Sequence, residues 1–89
     1  MLTKKIIIKG KVQGVFFRQS TAQKAQALSL TGTVENLPDG DTVSVVATGP
    51  EAALAELISW CQQGPPRAEV KNVEISDQPL QEFKKFSIL

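Results

Sequence analysis

Apolar and polar positions divide this chain into segments with distinct periods. Ile6, Ile7 and Ile8 form an apolar run flanked by lysines, and Lys4 to Lys11 predicts a first strand. A segment rich in Ala, Gln and Leu follows. Its Ala22, Ala25 and Leu28 fall on one face of a helix expected over about Gln19 to Leu30, with Gly32 placed where a helix C-cap is expected. Thr33 to Leu37 predicts a second strand and the valine-rich Thr42 to Thr48 a third. The turn signal Pro38-Asp39-Gly40-Asp41 between them makes a hairpin. Gly49-Pro50-Glu51 opens a second helix: Pro50 is tolerated in a first turn and Glu51 suits the positive end of the helix. Leu54, Leu57, Ile58 and Cys61 stand at i, i+3, i+4 and i+7, an amphipathic stripe that Gly64-Pro65-Pro66 terminates. A fourth strand is expected from about Ala68 to Ile75. Its apolar parity slips between Val70 and Val73, which predicts a bulge near Lys71-Asn72. Phe86 and Ile88 alternate in a short last strand.

The order β-α-β-β-α-β implies an α+β, ferredoxin-like βαββαβ sandwich, an antiparallel sheet with two helices on one face. At 89 residues a single domain over 1–89 is expected, with no internal linker, repeat or low-complexity segment. A chain of this size buries ~60–65% of its unfolded surface, enough for a modest core without staples.

Composition narrows the chemistry. Histidine and tyrosine are both missing, so no phosphohistidine intermediate and no Ser-His-Asp or Cys-His arrangement is possible. One cysteine and carboxylates make a poor zinc site, and no metal is expected. That lone cysteine has no internal partner and points to a reducing compartment. The longest early apolar run is three isoleucines, and neither a signal peptide nor a membrane span is expected; a cytoplasmic protein follows. The formal charge of +1 argues against a dedicated nucleic-acid binder. Its distribution is uneven: residues 1–34 carry +6 and no acid, whereas residues 35–89 carry −5. The lysines of the basic part either draw an anion or simply solubilise the first strand.

The basic part contains Gly10-Lys11-Val12-Gln13-Gly14-Val15-Phe16-Phe17-Arg18, a glycine-bearing connection from strand to helix. Such a turn exposes consecutive backbone N–H groups at the helix's positive end and suits a phosphate-sized anion. Gly14 permits a positive φ or close approach of a ligand, Val12, Val15 and one phenylalanine tuck inward, and Arg18 offers a planar donor fork. A cation at a helix start opposes the dipole unless an anion sits between. On strand two, Asn36 shares the face of Val34, an unusual place for an amide. The plainer alternatives are a hydrophobic strand-to-helix connection, a solvated Arg18, and an Asn36 bonded to its own backbone near the turn.

GKVQGVFFR resembles the GxVQGVxFR signature of the acylphosphatase family, and Gly32 to Gly40 (GTVENLPDG) resembles that family's GxVxNxxDG. The two blocks stand in the family's order and spacing, and the resemblance covers the whole chain. It implies metal- and cofactor-independent hydrolysis of acyl phosphates to carboxylate and inorganic phosphate. In such a site Arg18 and the loop, Gln13, Gly14, Val15, Phe16 and Phe17, bind the phosphoryl group, and Asn36 orients the attacking water. A small acyl phosphate or inorganic phosphate is then the expected partner of a monomer, without nucleic acid or membrane. Thr33 departs from the aromatic many members carry after the glycine, and Phe16 stands where glycine is also common.

Two decoys are rejected. Gly10-x-x-x-Gly14 lacks the Gly-Lys-Ser/Thr of a nucleotide loop. Cys61-x5-Arg67 has the spacing of cysteine-dependent phosphatases, but Cys61 lies at a helix C-terminus, where the dipole opposes a thiolate, and Pro65 and Pro66 lack N–H donors. The rival of another class is a non-catalytic anion- or RNA-binding module on the same scaffold. RNA readers of this shape stack bases on central-strand aromatics. Phe16, Phe17, Trp60, Phe83 and Phe86 all fall outside the expected central strands.

Overall fold

The computed structural model describes residues 1–89 and contains five strands and two helices: β1 (Leu2–Lys11), α1 (Phe17–Ala27), β2 (Thr31–Asn36), β3 (Thr42–Gly49), α2 (Glu51–Cys61), β4 (Glu69–Gln78) and β5 (Phe86–Ile88). The strands form one sheet in the order β4-β1-β3-β2-β5. β1 pairs antiparallel with β3 and β4, and β3 with β2. This is the expected ferredoxin-like α+β sandwich with one correction. β5 runs parallel to β2, pairing Val34 with Ile88, so the sheet is mixed. A strand joining β2 from beyond β4 has to cross the whole sheet, and it arrives pointing along β2 rather than against it.

Residue parity explains where the core sits. Ile6, Ile8, Val34, Val43, Val45 and Ala47 share one face of the sheet and are buried. From the helices, Ala22 and Ala25 of α1 and Leu54, Leu57 and Cys61 of α2 close over that face. Truncating a buried leucine such as Leu54 to alanine costs roughly 2–5 kcal/mol. The bulge expected near Lys71-Asn72 is present: Lys9 pairs with Asn72 and Gly10 with Val70, leaving Lys71 unmatched.

α1 departs from its expected bounds at both ends. It begins at Phe17 rather than Gln19, because Phe17, Thr21 and Ala25 extend the buried stripe back by one turn. The helix ends at Ala27 rather than Leu30. Ser29 takes a left-handed φ of 58°, the Leu30 N–H donates to the Ala25 carbonyl at 2.9 Å, and the Ser29 N–H donates to the Gln26 carbonyl at 3.0 Å. That double bond pattern closes the helix and turns Leu30 into the core. Gly32 is therefore not the cap. It lies inside β2, where a β-carbon would collide with the Val46 carbonyl oxygen of β3.

Candidate active site

The loop between β1 and α1 is fixed by what it buries. Val12 and Val15 point into the core, and of the two phenylalanines Phe17 is the buried one, its ring 5.6 Å from that of Trp60 on α2. Phe16 points outward, 67% exposed, with a left-handed φ of 64°. Gly14 also has a positive φ, 73°, and a β-carbon there would meet nothing. The glycine is thus required by the backbone turn and leaves the loop surface open.

Gln13 holds the loop to the β2–β3 hairpin. Its side-chain amide donates to the Leu37 and Thr42 carbonyls, each at 2.9 Å. The hairpin itself is tied by Asp39, whose carboxylate accepts from the Asp41 N–H and the Thr42 hydroxyl and is held below the ordinary carboxylate range by those bonds. The clamp therefore sets the loop and the end of β2 at a fixed distance.

The first intrahelical bond of α1 runs from the Ser20 N–H to the Phe16 carbonyl, at 3.0 Å. The N–H groups of Phe17, Arg18 and Gln19 precede it and have no partner within the helix. They sit at the positive end of the dipole, and no side chain caps them. Arg18, the second helical residue, turns its guanidinium to the Leu89 main-chain oxygen, donating through Nη1 at 3.0 Å. The Leu89 N–H in turn donates to the Val34 carbonyl at 2.8 Å. One bond of this kind uses one of five guanidinium donors and leaves the others for a ligand.

Asn36 ends β2 on the same face as Val34. Its side-chain oxygen is buried and accepts no hydrogen bond from the protein. A turn-type bond from that oxygen to its own backbone is thereby ruled out. An unpartnered buried acceptor is costly unless something fills it.

A cleft of about 430 Å³ gathers these groups. Val12, Gly14 and Phe16 of the loop and Phe17, Arg18 and Gln19 of α1 line it together with Asn36 of β2 and Ile88 of β5. Its size lies within the range of small-molecule sites. Of the loop residues expected to bind an anion, Gly14, Phe16, Phe17 and Arg18 line it. Gln13 and Val15 do not: Gln13 spends its side chain on the clamp, and Val15 is a core anchor. A second depression shares Gly14 with this cleft and is bounded by Lys11, Arg67 and Glu69.

Known proteins resemble this chain over nearly its whole length. The family model described as Acylphosphatase matches residues 4–88. The chain belongs to the acylphosphatase family. A curated acylphosphatase of Acaryochloris marina is 51% identical over 85 residues, covering 96% of this chain and 90% of that relative. A solved acylphosphatase of Coxiella burnetii superposes with a TM-score of 0.95 at 38% identity, covering 99% of this chain and 92% of that one. One from Bacillus subtilis gives 0.95 at 36% identity, covering 100% and 99%.

Among the residues lining the cleft of this acylphosphatase-family chain, sequence reasoning did not single out Gln19 and Ile88. Gln19 follows from placing the helix start at Phe17, which needs only the Phe17-Thr21-Ala25 spacing. Ile88 carries no local signal, because only the parallel pairing of β5 with β2 brings it opposite Val34 and into the cleft that Asn36 lines. Cys61 behaves as a core residue: it is fully buried, and desolvation pushes its thiol up to about 12.

Proposed function

We propose that the cleft hydrolyses the carboxyl-phosphate bond of acyl phosphates by direct attack of water on phosphorus. The phosphoryl group rests on the free N–H groups at the start of α1, with the Arg18 guanidinium across its oxygens. These donors oppose the charge that spreads over the equatorial oxygens in a loose transition state. Asn36 Oδ1 accepts a hydrogen bond from the attacking water and aims its lone pair at phosphorus. An amide cannot take the water's proton at neutral pH, so the proton passes to a phosphoryl oxygen of the substrate. The acyl carboxylate leaves without a general acid, because a mixed anhydride already has a good leaving group. No step calls on a metal or an organic cofactor. The single observation that carries this reading is that Asn36, whose side-chain oxygen is buried with no partner in the protein, lines the same cleft as Arg18.

The same reading takes residues 1–89 as one domain, a cytoplasmic monomer acting on a small molecule; the lone unpaired cysteine suits a reducing compartment. An RNA-binding role has less support, since the central strands β1 and β3 carry no aromatic residue on either face.

Hydrolysis of benzoyl phosphate in excess EDTA tests the proposal. Wild type is expected to turn over. Arg18→Ala should lose about 10³-fold or more in kcat/KM. Asn36→Ala should lose about 10²-fold in kcat while keeping inorganic phosphate affinity within about threefold, since it holds water rather than phosphate. Folded Arg18 and Asn36 variants with near-normal rates would overturn it.

A further inference from the structure

The polar and apolar parts of the cleft's lining differ in chemistry. The polar part of the lining offers the helix N–H groups, Arg18 and Asn36. The apolar part offers Phe16 at 67% exposure and Ile88 at 48%. Two large, exposed apolar side chains thus line one cleft from elements far apart in sequence. Folding does not account for Phe16. It buries little of its surface, and a bulky residue at φ 64° holds a backbone that glycine would adopt more readily. Local strain combined with an exposed ring at a cleft is the pattern of a residue kept for a ligand. Arg18 is the only charged side chain lining the cleft, and the phosphoryl group engages it. A second acidic group on the substrate would therefore find no further cation among the side chains lining this cleft.

We infer that Phe16 and Ile88 form an apolar wall that receives the acyl group and makes this chain selective for aromatic and bulky apolar acyl phosphates over small ones. The inference rests on the proposed seating of the phosphoryl group at the start of α1. With phosphorus held there, the acyl group has the rest of the same cleft to occupy, where Phe16 and Ile88 supply the exposed apolar surface. An aromatic acyl group then covers the exposed ring and displaces water from it, whereas an acetyl group has too little apolar surface to do so. Phe16 acts on binding of the leaving portion, so its effect belongs in KM.

The test compares kcat/KM for benzoyl phosphate and acetyl phosphate in wild type, Phe16→Gly, Phe16→Tyr and Ile88→Ala. Glycine accepts φ 64° without strain, so that variant is expected to fold. The benzoyl-to-acetyl ratio should fall about tenfold in Phe16→Gly, mainly through KM, as expected for loss of one aromatic contact. Phe16→Tyr, which keeps the ring, should restore the ratio, and Ile88→Ala should lower it by a smaller factor. Taking the ratio cancels any loss common to both substrates. A ratio unchanged within twofold in Phe16→Gly overturns the inference. A second arm separates it from the hydrolytic reading by measuring the calorimetric affinity of phenylphosphonate and methylphosphonate. Wild type should prefer the phenyl compound and Phe16→Gly should lose that preference, whether or not either acyl phosphate is hydrolysed. Equal affinities for the two phosphonates in wild type also overturn it.

Discussion

At the scale of single residues, the chain keeps chemistry apart from packing by direction. Phe16 and Phe17 are neighbours of one type, yet one lies open at the cleft and the other is buried against Trp60. Cys61 shows the same separation from the opposite side. Its spacing to Arg67 suggests a nucleophile, but it is buried in the stripe of α2 and its thiol is raised from 9.0 to about 12 by desolvation. The direction of that shift fixes a pH dependence. In the unfolded chain the thiol ionises near 9.0, whereas in the fold it keeps its proton to about 12. Below 9 both states hold the proton and Cys61 adds no slope. Above 9 the unfolded state gains stability by about 1.4 kcal/mol per pH unit until the folded thiol ionises too. Urea denaturation of wild type and Cys61→Ala isolates this contribution from the lysines that titrate in the same range. The stability advantage of wild type should be constant from pH 6 to 8 and should shrink between pH 9 and 10.5. An advantage that stays level across that range would show a thiol exposed enough to ionise in the fold.

At the scale of elements, β1, α1 and the β2–β3 hairpin are positioned by a few bonds whose residues were legible and whose partners were not. Period and turn chemistry place Gly14, Arg18 and Asn36 on their elements. Neither signal reveals that the Gln13 amide reaches across to Leu37 and Thr42, because that contact joins residues 24 and 29 positions apart. The misjudged ends of α1 have an equally local cause: Ser29 supplies the left-handed residue that glycine was expected to supply at position 32. The Gln13 clamp makes a prediction with an internal control. Gln13→Ala removes two neutral hydrogen bonds, while both carbonyls keep another donor, Gly40 N–H for Leu37 and Leu37 N–H for Thr42. The expected cost is about 1–2 kcal/mol. Gln13→Glu preserves the shape but points a carboxylate at two carbonyl oxygens, and should cost more than alanine. Both variants should also weaken inorganic phosphate binding, because the loop then samples positions in which its N–H groups no longer converge. Denaturation midpoints and phosphate calorimetry on the same samples check the two effects. Equal stability of the alanine and glutamate variants would show that the amide does not face those carbonyls in solution.

At the scale of the whole molecule, the site depends on a segment that crosses from one edge of the sheet to the other. The four antiparallel strands and both helices follow from alternation, the 3.6-residue stripe and turn residues, each a signal spanning a dozen positions or fewer. The parallel placement of β5 has no such signal, since it is decided by where residues 79–85 run. Thr3 and Thr48, paired across β1 and β3, hold that crossing. Their hydroxyls lie 2.7 Å apart, the Gln81 N–H donates to Thr3 Oγ1 at 2.9 Å, and Thr48 Oγ1 donates to the Gln81 carbonyl at 2.8 Å. With Thr3 donating to Thr48, every donor in this small ring is used once, and the buried threonines replace the apolar pair the sheet would otherwise carry there. From Gln81 the chain reaches Phe86, Ile88 and Leu89, and so sets the mouth of the cleft and the oxygen that receives Arg18. Thr48→Val keeps the volume and deletes the hydroxyl, which leaves the Thr3 proton and the Gln81 carbonyl only a long bond to each other, at 3.5 Å. It should cost about 1–3 kcal/mol. The double variant Thr3→Val/Thr48→Val should cost less than the sum of the two single variants, because each single change already breaks the ring. The mouth then loosens while the loop and Asn36 stay in place. Thr48→Val should therefore raise KM for benzoyl phosphate more than it lowers kcat. Strict additivity of the two substitutions, or a loss confined to kcat, would place the anchor of β5 elsewhere.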